Sequence, residues 1–262
     1  ITIKEIVKAD YFEDFENVAE GNVKTPIVNN SENLYMYSGG KYSLVRTADA
    51  PKGNTWGMFT KDSYATHKLV DGEYIAIDGA HKKGAYCGDN HFPIKAIKGE
   101  YTHQYYTDFN TDSSLISTVN VKPHSGNTMI GMGQLYRTSI KEITGLKANT
   151  NYKLSIWVYQ ANPCGYVHTL AVADNYDGLQ TNSITPFLDN TNVLGYSDYS
   201  KKEKVYGKWT ELTIDFSTLD KTTVYLHISQ NGLGTNGNKS MIFVDDITIV
   251  EASENYVTAK EI

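Results

Sequence analysis

The chain has 262 residues, enough to bury a sizeable core as one large β domain or two small ones. Its formal net charge is −6 and it has no basic cluster interleaved with aromatics, which argues against nucleic acid as a partner. No apolar run reaches the ~18 residues of a membrane-spanning helix, so membrane insertion is not expected.

Strand signals dominate from end to end. In chain order, strands are expected over 41–48, 72–79, 151–160, 167–174, 208–216, 222–230 and 241–250, all rich in β-branched or aromatic residues. Turn sequences such as SGGK, DGE, KANTN, NYDG and NGLGTNGN separate them. Helical patterning is nearly absent, and its best candidate, Ser139–Ile143, is very short. The pattern predicts an all-β fold, an antiparallel β-sandwich of jelly-roll type. The polar, aromatic stretch 84–127 holds His91, His103 and His124 and reads as a long inserted loop region. A single domain over 1–262 is expected, with its core at about 11–252.

Alternation assigns faces within strands. Tyr152, Leu154, Ile156 and Val158 share the expected core face, and Lys153, Ser155, Trp157 and Tyr159 the other. Val224, Leu226 and Ile228 face the core, with Tyr225, His227 and Ser229 opposite; Thr210, Leu212, Ile214 and Phe216 form a further core face. The chain has 20 Tyr against 8 Phe, and such rings combine an apolar face with a polar tip. Aromatics lining a solvent-side sheet would form a stacking platform for sugar rings, whose C–H faces are apolar. Trp157, Tyr159, Tyr225 and Tyr166 are the ring candidates, and Trp56 would either cap the sandwich or line a site. Gln160, Lys153 and Gln230 are placed to meet sugar hydroxyls. Were 84–127 to cover that face, Trp157 and Tyr159 would be ordinary packing.

Motifs of other chemistries fall short. GLGTNGNKS nearly spells a phosphate loop, but Asn238 precedes Lys239 and a strand follows where a helix should begin. DNYDG at 174–178 lacks the rest of a calcium loop and reads as a turn. The seven His show no H-E-x-x-H spacing, and no G-x-S-x-G elbow occurs. Cys87 has no evident base beside it; Cys87 and Cys164 are compatible with one disulfide or two free thiols. No signal peptide is visible ahead of Ile1, which is compatible with its prior removal.

Four pieces in order carry a family resemblance: DFEN (14–17), GGKYSLV (39–45), ITGLKANTNYKLSIWVYQ (143–160) and GKWTELTIDFSTL…VYLHIS…FVDDITIV (207–250). Together they resemble the jelly-roll carbohydrate-binding modules of the families four, nine, sixteen and twenty-two group. The resemblance implies a non-catalytic module that binds a plant cell-wall β-glycan such as β-glucan, xyloglucan or xylan. It implies a polysaccharide partner, and a secreted bacterial polysaccharide-degrading protein of which the chain is one monomeric module. A structural or adhesive module of a cell-surface protein is the alternative, and a lyase or esterase on the same fold a further one. The resemblance also implies a structural calcium where the first strand meets the last. Glu16, or Glu13 of the other FE pair at 12–13, and Asp245 would be its side-chain ligands, with a backbone carbonyl near Gly40 or Lys41 and Asp78 as a further ligand. Asp245 shares parity with Ile247 and Ile249 and is expected to point coreward, while Asp246 points outward.

Overall fold

The computed structural model describes residues 9–23, 34–38, 40–46, 53–59, 67–76, 94–107, 116–133, 137–161, 163, 165–174, 193–232, 239 and 241–252. Asp78, Cys87, Cys164 and most of the DNYDG and GLGTNGNKS turns lie outside these residues. No α-helix occurs among the described residues, and every strand pairing is antiparallel.

The first strands are β1 (Tyr11–Glu13), β2 (Gly21–Asn22), β3 (Leu34–Ser38), β4 (Lys41–Arg46), β5 (Gly57–Phe59), β6 (His67–Val70) and β7 (Glu73–Ala76). Then come β8 (Ile94–Lys98), β9 (Tyr101–Tyr106), β10 (Ile116–Val121), β11 (Thr128–Gly133) and β12 (Arg137–Thr144). The last are β13 (Asn151–Gln160), β14 (Gly165–Ala173), β15 (Val193–Asp198), β16 (Trp209–Ser217), β17 (Thr223–Gly232) and β18 (Met241–Glu251). The seven strands expected from sequence appear as β4, β7, β13, β14, β16, β17 and β18. The short helix candidate at Ser139–Ile143 is part of β12. Hydrophobic i, i+3 spacing of Ile140 and Ile143 imitates a helix there, but both sides of this strand are buried.

Two sheets form the sandwich. The first runs β16-β13-β18-β11-β8-β2, with β1 also on β18; the second runs β15-β14-β17-β12-β5. Core faces match the alternation: Tyr152, Leu154, Ile156 and Val158 of β13 pack with Val224, Leu226 and Ile228 of β17. Leu212, Ile214 and Phe216 of β16 and Ile242, Val244, Ile247 and Ile249 of β18 complete the layer. Each such fully buried side chain contributes roughly 1.5–3 kcal/mol.

One open edge is closed by two residues. Tyr199 Oη donates to the Thr213 carbonyl at 2.9 Å and accepts the Thr213 N–H at 2.8 Å, pairing edge backbone groups of β16. Gly195 of β15 passes so close to β16 that a Cβ would lie 2.7 Å from Phe216 Cβ.

Two smaller sheets are not hydrogen-bonded into this pair. The four-stranded sheet β4-β3-β6-β7 is built from residues 34–76, and β9–β10 form a hairpin. The stretch 84–127 is therefore strand in part: β8 joins the first sandwich sheet, and the hairpin brings His103 and Tyr101 onto Phe243 of β18.

Candidate functional site

The outer face of the first sheet carries the rings that alternation singled out. Tyr159 is buried against Trp209 and Phe243, in a cluster with Ile97, Val121, Met129 and Met241. It has no free face, so the expectation of a stacking role is corrected. Trp157 is partly buried, and the His124 imidazole lies flat on it, 3.8 Å between ring centres and 14° from parallel. Trp209 meets the same His124 edge-on and donates through Nε1 to the Lys122 carbonyl. The loop 122–127 thus occupies the position that a sugar ring would take.

Two further candidates are corrected by burial. Trp56 is 0% exposed, and its backbone N–H is bonded to the Val23 carbonyl. Gln160 bridges strands: its Oε1 accepts the Val167 N–H at 2.8 Å and its Nε2 donates to the Val205 carbonyl. Gln230 is buried as well, and Lys153 stands in register with Asp215.

The loop over Trp157 is held by three carboxylates. Asp245 Oδ2 accepts the N–H groups of His124 (2.8 Å) and Ser125 (3.3 Å), and its Oδ1 accepts the Asp246 N–H. Asp246 takes the Ser125 hydroxyl at 2.7 Å and lies 2.6 Å from His124 Nδ1. From the other side, Glu16 Oε1 accepts the N–H groups of Asn127 and Thr128, both at 2.7 Å. Gly126 is the residue this grip demands. Its φ is +55°, and a Cβ would sit 2.6 Å from Glu16 Oε1.

Strand β18 explains the acidic pair. Its far edge is shared: Met241–Val244 pair with β11 and Ile247–Ile249 with β1, so Asp245 and Asp246 fall at the change of partner. On the near edge Trp157 faces Asp245 and Ser155 faces Thr248, which leaves Asp246 and Ile247 opposite Ile156 alone. This is a β-bulge, and Asp246 takes φ +44° within it. The bulge adds one residue, so face parity does not carry across it. Asp245 belongs with Phe243 on the outer face, not with Ile247 and Ile249 on the core face. Burial first, and then the charge of Asp246, push the Asp245 carboxyl up to about 7.

The donors here do not fit calcium, which prefers ~6–8 oxygen ligands. The oxygens of Asp245, and Oε1 of Glu16, already take N–H donors of the chain. Among the described residues no three His, Cys, Asp or Glu side chains come together as a metal site. Lys41 lies on β4, paired with Ser38 in the four-stranded sheet. What joins the first strand to the last is the β1–β18 ladder itself.

On the second sheet Tyr225, His227 and Ser229 do point away from the core, as alternation predicts. Tyr225 Oη lies 3.4 Å from Glu142 Oε1, and burial with the Glu142 charge raises its pKa. The Tyr166 ring lies under Lys204 Nζ at 4.6 Å. These residues and Trp157 occupy opposite outer faces of the sandwich, so they do not form one groove.

The exposed aromatic surface is elsewhere, on the four-stranded sheet. Register places Tyr35 and Tyr37 of β3, Tyr42 of β4, His67 and Leu69 of β6 and Tyr74 of β7 on one face. Tyr35 and Leu69 are buried at its centre. Around them Tyr37, Tyr42 and Tyr74 remain 48%, 38% and 39% exposed. Tyr42 and Tyr74 stack at 3.7 Å and 6°, Tyr37 leans on Tyr42 at 4.7 Å, and His67 meets Tyr42 edge-on at 5.0 Å. The alternation L-Y-M-Y-S at 34–38 is the sequence signal for this face.

No protein-family model and no curated protein matches the chain. Among solved structures, the CBM22-1 xylan-binding domain of Paenibacillus barcinonensis Xyn10C aligns at 12% identity and a TM-score of 0.33, covering 61% of this chain and 87% of its own. TmCBM61 in complex with β-1,4-galactotriose aligns at 16% identity and 0.33, covering 61% and 82%. A CBM4 structure aligns at 13% and 0.33, covering 63% and 90%. CBM22 and CBM4 belong to the group that the sequence motifs resemble. At these values the similarity is one of outline, and the chemistry rests on this chain's own residues.

Proposed function

We propose that the chain is a non-catalytic carbohydrate-binding module whose contact surface is the tyrosine face of the four-stranded sheet. The observation that supports it is the contiguous, exposed Tyr37–Tyr42–Tyr74 cluster. Its ring faces suit the apolar C–H face of a pyranose, and phenol hydroxyls at the rim suit sugar hydroxyls. The glycan is a plant cell-wall β-glycan, β-glucan, xyloglucan or xylan, as the motif resemblance implies. The setting that fits is a secreted polysaccharide-degrading protein carrying the chain as one monomeric module. Affinity at so shallow a surface is on the order of micromolar to millimolar.

The non-catalytic reading draws on the Ser–His–Asp neighbourhoods among the described residues, Ser125 with His124 and Asp246, and Ser200 with His168 and Asp198. Ser125 donates to Asp246 and Ser200 to Asp198, so neither hydroxyl is given to the imidazole that would act as base in such a triad.

The test is affinity electrophoresis against a panel of polysaccharides. Retardation should appear on a β-glycan, disappear in the Tyr42→Ala and Tyr74→Ala variants, and persist in Trp157→Ala. Retardation lost only in Trp157→Ala would move the site to the sandwich. No retardation on any glycan would sink the proposal in favour of an adhesive or structural module, and release of product would mark a lyase or esterase.

A further inference from the structure

Lys141 stands on the wrong side of its strand for a lysine. On β12 it is in register with Leu226 of β17, between the Ser139–Ile228 and Ile143–Val224 pairs, and so faces the core. Its residue is 1% exposed. The ammonium donates to the Gly53 carbonyl at 3.0 Å and lies 3.7 Å from Glu13 Oε2. It stands 5.7 Å from the centre of the Trp56 ring and 6.0 Å from that of Phe15. Glu13 is itself fixed: its Oε1 accepts the Phe15 N–H at 3.0 Å, and its backbone pairs with Ile247.

An isolated charge in an apolar interior is costly, and such groups persist only where they are paired. Here one carboxylate oxygen, one carbonyl and two ring faces surround the charge. That set suits an ammonium ion, which gains from both hydrogen bonding and ring faces. It is too poor in oxygen for calcium.

We infer that the Lys141 ammonium is a built-in cation that ties the first strand to the second sandwich sheet. Through Glu13 it holds β1, through Gly53 the turn leading to Trp56, and through its own backbone β12. The pocket is a monovalent-cation site with a covalently attached occupant. Removing the side chain beyond Cβ would open it to a small primary ammonium ion.

Thermal melting of the full chain tests this. Lys141→Ala should melt lower than the parent and recover with added propylammonium chloride, the fragment removed, but not with propanol or sodium chloride. Lys141→Met fills the volume without charge and covers the case in which the alanine variant does not fold. With Glu13→Gln it forms a double-mutant cycle in which the combined lowering is smaller than the sum of the single ones. Additive losses in that cycle would overturn the inference, as would equal recovery of a folded Lys141→Ala by propanol and propylammonium.

Discussion

Trp157 and Asp245 face each other across the β13–β18 pair, and a single residue, His124, engages both. Its ring covers the Trp157 indole, and its N–H binds the Asp245 carboxylate. The tryptophan that alternation offers to a ligand is thereby covered on one ring face by a loop that the acidic pair holds down. Asp245→Ala should leave the His124 and Ser125 N–H groups without an acceptor beneath that loop. The expected loss is about 3 kcal/mol in denaturant unfolding, since each buried donor left unpaired costs ~1–3 kcal/mol. Exposure of Trp157 should accompany it, read as stronger quenching of tryptophan fluorescence by iodide. An Asp245→Ala variant as stable as the parent would show that the carboxylate does not hold the loop.

The acidic pair also sets a pH dependence. The folded Asp245 carboxyl is raised to about 7, above the ordinary carboxylate value of 3.8. Between these values the folded chain binds more protons than the unfolded one, so this group's contribution to stability falls as pH rises from about 4 through about 7. Buried His103 acts in the opposite direction. Burial and then Lys95 lower it to about 4 from 6.5, so the unfolded chain takes the proton first and stability falls as pH drops from about 6.5 to about 4. Melting against pH for the parent, Asp245→Asn and His103→Leu separates the two. The parent should lose ground relative to Asp245→Asn towards pH 7, and relative to His103→Leu towards pH 4. Parallel curves would remove both assignments.

The strand faces were legible because alternation is a local geometric property. Leu154 and Ile156 face inward, and so do Val224 and Leu226, whatever lies over the sheet. Two long-range facts were not legible. The bulge at Asp246 breaks the two-residue period, and only the Trp157–Asp245 and Ser155–Thr248 register reveals it. The covering of Tyr159 depends on strands distant in the chain, around Met129, Val121 and Met241. No count along β13 could supply that. Lys141 was missed for a related reason: a lysine in a strand reads as solvent-facing until register sets it beside Leu226. The L-Y-M-Y-S alternation, by contrast, was available in the sequence, and it marks half of the tyrosine face.

Metal removal is the next expectation. Two of the carboxylates assigned to calcium by resemblance, Glu16 and Asp245, are bonded to N–H groups of the 124–128 loop. Excess chelator should therefore leave the melting temperature unchanged, and added calcium should not raise it. A drop with chelator that calcium reverses, and that Glu16→Gln abolishes, would restore Glu16 as a ligand.

The edge closure gives a last prediction, independent of any ligand. Tyr199 Oη serves both the N–H and the carbonyl of Thr213 on the outermost strand of the first sheet. Tyr199→Phe keeps the ring, which packs on the core margin, and removes only the oxygen. Two backbone groups lose their partner at a partly wet edge, where water replaces some of what is lost. The expected cost is about 1–2 kcal/mol by denaturant unfolding. The exposed edge should also favour pairing with a second copy, so the variant should show concentration-dependent self-association in sedimentation velocity. Gly195→Ala disturbs the neighbouring crossing by another route. Its Cβ would press on Phe216, so β15 must shift, at about 1–3 kcal/mol for a crowded contact. Because β15 and Tyr199 bracket the same strand, the two substitutions should be non-additive in combination. Strictly additive losses would mean that the hydroxyl and the glycine act on β16 separately.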